Sequence, residues 1–136
     1  DFANVIGPYL VTTDELKHKE IKTPFGKKYD LEMRCYVNGD LISSGNTKEM
    51  SWTFAEIIER ASYGVELVPG DIIGSGTVGG GCFLEINGTK KRTDKNYIDR
   101  WLKQGDIIKM EVESIGNISN KIIKSKNNHS IQKLKK

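Results

Sequence analysis

Long apolar runs are missing from this 136-residue chain. Nothing approaches the ~18 consecutive apolar residues of a membrane span, and 37% hydrophobic with 29% charged content fits one soluble globular domain. Cysteine is scarce: Cys35 and Cys82 stand too far apart for a metal knuckle and carry no partner motif. Both read as small core residues of a reduced, cytoplasmic chain. No basic-then-apolar leader is visible and no Met opens the chain, which points to a processed protein or a fragment. Acids are absent from the last sixteen residues, where Lys121, Lys124, Lys126, Lys133, Lys135 and Lys136 concentrate. The net charge of +3 therefore hides a value of about −3 for residues 1–120. The tail has no interleaved aromatics to stack on bases, so residues 124–136 read as a basic, flexible terminus and nucleic acid as an improbable partner.

What is present is mostly strand signal. Residues 8–12 read as a short strand and residues 13–28 as a loop around Pro24 and Gly26. Leu31, Met33, Cys35 and Val37 alternate with Glu32, Arg34 and Tyr36, the period of a half-buried strand. Asn38-Gly39 is a hairpin turn signal, and residues 40–44 are the return strand. Thr53 and Glu56 have capping-box spacing ahead of an apolar stripe of Phe54, Ile57, Ile58 and Ala61, with Gly64 as the stop, so a helix is expected near residues 53–63. Gly-Asp-Ile-Ile occurs twice, at residues 70–73 and 105–108, each time as a tight turn launching a strand. Residues 82–86 read as a strand closed by Asn87-Gly88, residues 97–102 as a short helix, and residues 109–113 and 118–123 as strands joined by a turn at 115–117. About seven strands and one good helix define a mainly β fold with mixed α+β character.

Six glycines crowd residues 70–81, and Gly74-x-Gly76-x-x-Gly79 has the spacing of a dinucleotide loop. That fingerprint needs a helix directly after the glycines, whereas residues 82–88 read as extended chain and a turn, and no Lys-Ser or Lys-Thr pair supplies a P-loop. Glycine backbone can still converge several amides on one anion, with Ser75 and Thr77 adding hydroxyls; the competing reading is a plain strand connection with glycines at positive φ. Glu111-Val112-Glu113 has a spacing that hard cations favour, but no motif places a third carboxylate, and exposed alternation on a strand accounts for it. His18, among Lys17, Lys19 and Glu20, reads as a solvated histidine.

In order along the chain, Gly7-Pro8-Tyr9-Leu10-Val11-Thr12, Val37-Asn38-Gly39, Gly45-Asn46-Thr47 with Met50, Leu67-Val68-Pro69-Gly70-Asp71-Ile72-Ile73-Gly74-Ser75-Gly76-Thr77, Leu102-Lys103-Gln104-Gly105-Asp106 and Ile115-Gly116-Asn117-Ile118 form one pattern. Over residues 1–123 it resembles the C-terminal half of the fumarylacetoacetate hydrolase family. The resemblance implies a mixed β-sandwich roll and a divalent cation, usually magnesium, that chelates a small 2-keto acid or acylpyruvate for carbon-carbon hydrolysis or keto-enol isomerisation. It implies that Gly76 and Thr77 hold the substrate's acid end. Val78 departs from the family, many of whose members place proline there. The family's metal ligands and its acid/base His-Glu pair come from an upstream segment that has no counterpart in this sequence. Its functional lysine falls just ahead of Asp1 when its phenylalanine is aligned with Phe2. The resemblance further implies a homodimer and a missing N-terminal half. The chain alone is then expected to be inactive, with no catalytic or metal residue of its own. The other reading is a non-catalytic β module that uses the lysine-rich tail to hold an acidic partner.

Overall fold

Residues 4–124, which this computed structural model describes, form six strands and two helices. They are β1 (Glu20–Thr23), β2 (Gly26–Tyr29), β3 (Glu32–Val37), β4 (Asp40–Asn46), α1 (Phe54–Ala61), α2 (Phe83–Thr93), β5 (Ile107–Val112) and β6 (Gly116–Lys121). The two sheets are antiparallel throughout, a β1-β2 hairpin and a four-stranded sheet in the order β4-β3-β5-β6. The mixed α+β expectation holds.

Local chemistry explains the elements that match their sequence signals. Asn38 and Gly39 both take positive φ, as a tight two-residue hairpin demands, and the Asn38 side chain accepts from the Ile107 amide, so the β3–β4 turn is tied to the start of β5. In α1 the capping box is complete: Glu56 N–H donates to Thr53 Oγ1, and Thr53 N–H donates to Glu56 Oε2 at 2.7 Å. Thr53 is 2% exposed, its hydroxyl 2.9 Å from the Phe25 carbonyl, which binds the helix start to the β1-β2 turn. Gly26 opens β2 directly after that turn at φ +134°, where a Cβ would lie 3.0 Å from Thr53 Oγ1 and 3.1 Å from Ala55 Cβ. The buried core is small, with Leu16, Tyr29 and Leu31 packed together and flanked by Val11 and Val112. The apolar stripe of α1 is largely uncovered. Tyr29 meets Phe54 at 6.1 Å between ring centroids, yet Ile58 is 52% exposed.

Several expectations need correction. Residues 8–12 form no strand: Pro8 lies in a bend, and residues 9–12 are irregular with no ladder partner. Residues 13–28 are not a loop: they hold a 3-10 turn (Lys17–Lys19) and the β1-β2 hairpin, whose lysines masked the period-two signal. Both Gly-Asp-Ile-Ile turns form, with Asp71 accepting from Val68 N–H at 2.9 Å and Asp106 from Lys103 N–H at 2.7 Å. Only the second leads into a strand, because β5 finds β3 beside it while residues 72–78 find no neighbour to pair with. Residues 83–86 and the Asn87-Gly88 pair lie in α2, with Cys82 as its N-cap, not in a strand and turn. Phe83, Ile86 and Asn87 fall three and four positions apart and face inward, so the helical period wins over the two-residue alternation. Residues 97–102 are irregular; Asn87 holds them in place of a helix's own ladder. Cys82 is exposed rather than in the core, its sulfur capping α2 by accepting from Glu85 N–H at 3.5 Å. Cys35 is half-buried, and burial pushes its thiol pKa up. The tail beyond residue 124 lies outside the described residues.

Candidate functional site

The glycine loop and the segment after β4 face each other. Ser75, Gly76, Thr77, Val78 and Gly79 form one wall of a cleft of about 240 Å³, and Asn46, Thr47, Glu49 and Met50 form the other, with Met33 at its base. Two motifs separated in sequence by residues 51–74 thus converge on one space.

The second wall is held rigidly. Asn46 donates from Nδ2 to Asp30 at 2.6 Å and accepts from Lys48 N–H at 3.0 Å, and Lys48 Nζ closes the ring on Asp30 at 3.1 Å. The Asn46 side chain first, then Lys48, holds the Asp30 carboxyl below the usual carboxylate range. The Thr47 hydroxyl donates to the Tyr29 carbonyl and accepts from Leu31 N–H, while the Lys28 ammonium donates to the Met50 carbonyl. Asn46 and Thr47 therefore spend their polar groups on the framework, not on the cleft.

The first wall is the opposite. Among the described residues, the amides of residues 72–79 and the hydroxyls of Ser75 and Thr77 have no protein partner. Gly76 lies at φ +99°, a backbone state that an L side chain strains to reach. An unengaged run of amides with two hydroxyls beside it can accept an anion. Glu49, a cleft residue that the sequence reading did not single out, contributes a carboxylate on the facing wall. It lies between Asn46-Thr47 and Met50, where no local pattern marks it.

A helix does follow the glycines, against expectation, but no strand precedes them, so the dinucleotide arrangement is still incomplete. The loop's approach to that helix is also taken: Glu85 Oε2 accepts from Gly80 N–H at 2.8 Å, placing the helix's own carboxylate where a phosphate would bind. Glu111 and Glu113 each meet a lysine: Lys109 for Glu111, Lys19 for Glu113, and the lysine hydrogen bond is the main reason each glutamate's pKa is lowered. His18 is exposed, 3.4 Å from the Ser114 hydroxyl. Among the described residues no three His, Cys, Asp or Glu side chains gather as metal ligands, and no helix is long and apolar enough to cross a membrane.

The fold is one already seen in solved structures. The family model described as fumarylacetoacetate (FAA) hydrolase C-terminal matches residues 1–123, and the chain belongs to this family. It is 34% identical over 111 residues to a 2,4-didehydro-3-deoxy-L-rhamnonate hydrolase of Sphingomonas sp. (strain SKA58), covering 82% of this chain and 32% of the relative. It is 34% identical over 119 residues to a mitochondrial oxaloacetate tautomerase of Bos taurus, covering 87% and 31%. The crystal structure of maleylpyruvate hydrolase from Sphingobium sp. SYK-6 superposes with a TM-score of 0.60 at 25% identity, over 86% of this chain and 34% of that one. The chain spans about a third of the length of the curated relatives it matches.

Proposed function

We propose that this chain is the C-terminal part of the catalytic domain of an enzyme acting on small 2-keto acids or acylpyruvates, by carbon-carbon bond hydrolysis or keto-enol isomerisation, and that it supplies the loop that grips the substrate's carboxylate. The observation that carries this reading is the meeting of the unengaged amides and hydroxyls of Ser75–Thr77 with the braced Asn46–Met50 wall across one cleft. Relatives named for a keto acid, an acylpyruvate and a deoxy-didehydro sugar acid support the substrate class, since each carries a carboxylate beside an oxo group.

Gly76 provides the turn that aims the amides, and the Thr77 hydroxyl donates to a carboxylate oxygen. Preorganised donors of this kind act most strongly where negative charge is fixed or develops. Magnesium belongs to this reading through the family. The described residues do not compose a centre for it, so no step of the reaction is assigned to them through the metal. In the same reading residues 124–136 are a basic tail, the working compartment is the cytoplasm, and the exposed face of α1 is ground covered by further polypeptide or by a second copy of the chain.

The test is a titration of the isotope-labelled chain with pyruvate, followed at the Gly76 and Thr77 amides. Thr77→Val keeps the shape and removes the hydroxyl, and it should weaken binding about tenfold or more, the scale of one hydrogen bond to a charged group. Equal binding by both proteins would overturn the role given to Thr77.

A further inference from the structure

Within the glycine loop, burial begins at a single side chain. Residues 68–77 are all exposed, and Val78 is the first half-buried residue after Leu67. Its partner is Gly45 in β4. A Cβ built on Gly45 would lie 2.6 Å from Val78 Cγ1, closer than real Cβ contacts come, and 3.9 Å from both Val78 Cβ and Met33 Cε.

Gly45 does not owe its identity to backbone freedom, since it is not among the positive-φ residues and pairs in register with Met33 of β3. Alanine would suit that extended backbone, so what the glycine supplies is space. Val78 is fixed from the other side too. Its carbonyl accepts from Gly81 N–H at 2.9 Å, and a Cβ on Gly81 would meet that carbonyl oxygen at 2.6 Å. One residue therefore ties the loop both to the sheet and to the approach to α2.

The placement matters because the pair abuts both walls of the cleft. Gly45 immediately precedes Asn46, and Val78 immediately follows Thr77. We propose that Gly45 and Val78 act as socket and peg, setting how far the Gly76-Thr77 loop stands from the Asn46–Met50 wall. They are positioning residues: Gly45 stands outside the cleft lining, and Val78, which edges the wall, acts through its packing on Gly45. Through that spacing they set the cleft's affinity for a small carboxylate, a consequence that rests on the reading of the loop as the carboxylate site.

The experiment is a mutant cycle on the full chain with Gly45→Ala, Val78→Ala and the double variant. Each is followed by the amide shifts of Ser75 and Thr77, by pyruvate affinity and by the thermal midpoint. Gly45→Ala drives a methyl into Val78 Cγ1; it should shift the loop amides and weaken pyruvate binding about tenfold, a coupling typical of residues in direct contact. Once Val78 is alanine that γ-carbon is gone and the nearest Val78 atom is the Cβ at 3.9 Å, an ordinary contact, so Gly45→Ala should then cause no further loss. Relief of one substitution by the other, with the thermal midpoint of the double variant near that of Val78→Ala, supports the proposal. Losses that simply add, or loop amides unmoved by Gly45→Ala, overturn it. Should Gly45→Ala not fold, a folded double variant is equally supporting, while failure of both would mean that Gly45 serves the strand and not the loop. If the unsubstituted chain does not bind pyruvate, the carboxylate reading fails by itself, and the ligand-free shifts still decide whether the pair sets the loop.

Discussion

Asn87 closes a two-point clamp on Arg100: its Nδ2 donates to the Arg100 carbonyl at 2.9 Å, and its Oδ1 accepts from Arg100 N–H at 3.1 Å. Tyr97 adds a third bond, its hydroxyl donating to the same Oδ1 at 3.2 Å. Asn87 is 3% exposed, so the side-chain amide replaces the ladder that the irregular segment around Tyr97 and Arg100 lacks. Asn87→Ala should cost about 1–2 kcal/mol, because it removes the partner of both part-buried Arg100 backbone groups. Urea unfolding checks this; a change below ~0.5 kcal/mol would mean that water replaces the amide freely.

Thr53 makes a similar case at the start of α1. Its oxygen accepts from Glu56 N–H, and its single proton serves either the Phe25 carbonyl at 2.9 Å or Glu56 Oε2 at 2.8 Å. Thr53→Ala should lower stability by about 1–2 kcal/mol, and Thr53→Ser should restore most of it.

That cap also predicts a dependence on pH. The Thr53 amide first, then its hydroxyl, holds the Glu56 carboxyl below the usual glutamate range. The folded state therefore binds fewer protons here than the unfolded one. The stabilisation is complete above the ordinary glutamate pKa and fades as pH falls through the depressed folded value. Thermal midpoints measured down the acid side should fall less steeply for Glu56→Gln than for the unsubstituted chain. Parallel curves would show that the bond is open to water in solution.

The face of α1 invites association. Trp52 and Tyr63 are 65% and 76% exposed beside a groove of about 670 Å³ that Ile57 and Ala61 help to line. Sedimentation should show mass rising with concentration, and a Trp52→Ser, Tyr63→Ser double variant should remain monomeric at an unchanged unfolding midpoint. A chain monomeric at every concentration would remove the case for a sticky face.

Activity of the chain by itself is expected to be nil. A verified 136-residue preparation given magnesium and an acylpyruvate should show no turnover above buffer. Hydrolysis abolished by chelator would place the metal ligands within this sequence.

The sequence was most readable where a short signal and its tertiary setting agree. The β3–β4 hairpin needed only alternation and Asn38-Gly39, and α1 needed only its capping box and stripe. Misreading began where two periods overlap. Residues 82–86 alternate well enough for a strand, and only the buried Asn87 one position beyond Ile86 reveals the helical face. The β1-β2 hairpin was hidden because Lys22, Lys27 and Lys28 supply polar ends with apolar stems, which composition counts as loop. Gly76 and Thr77 are singled out by resemblance, while Glu49 opposite them and the Gly45–Val78 contact required coordinates, since no local pattern says which distant residue a glycine makes room for.

The tie between the β1-β2 turn and the start of α1, Thr53 Oγ1 to the Phe25 carbonyl at 2.9 Å beside a Gly26 with no room for a side chain, bears on motion as well as on packing. A strand turn hydrogen-bonded to a helix start, and with no room for a side chain between them, leaves neither part free to open without the other. Amides of the β1-β2 hairpin and of the first turn of α1 would then exchange with solvent in a single joint event, so that loosening the hairpin anywhere would be felt at the helix cap.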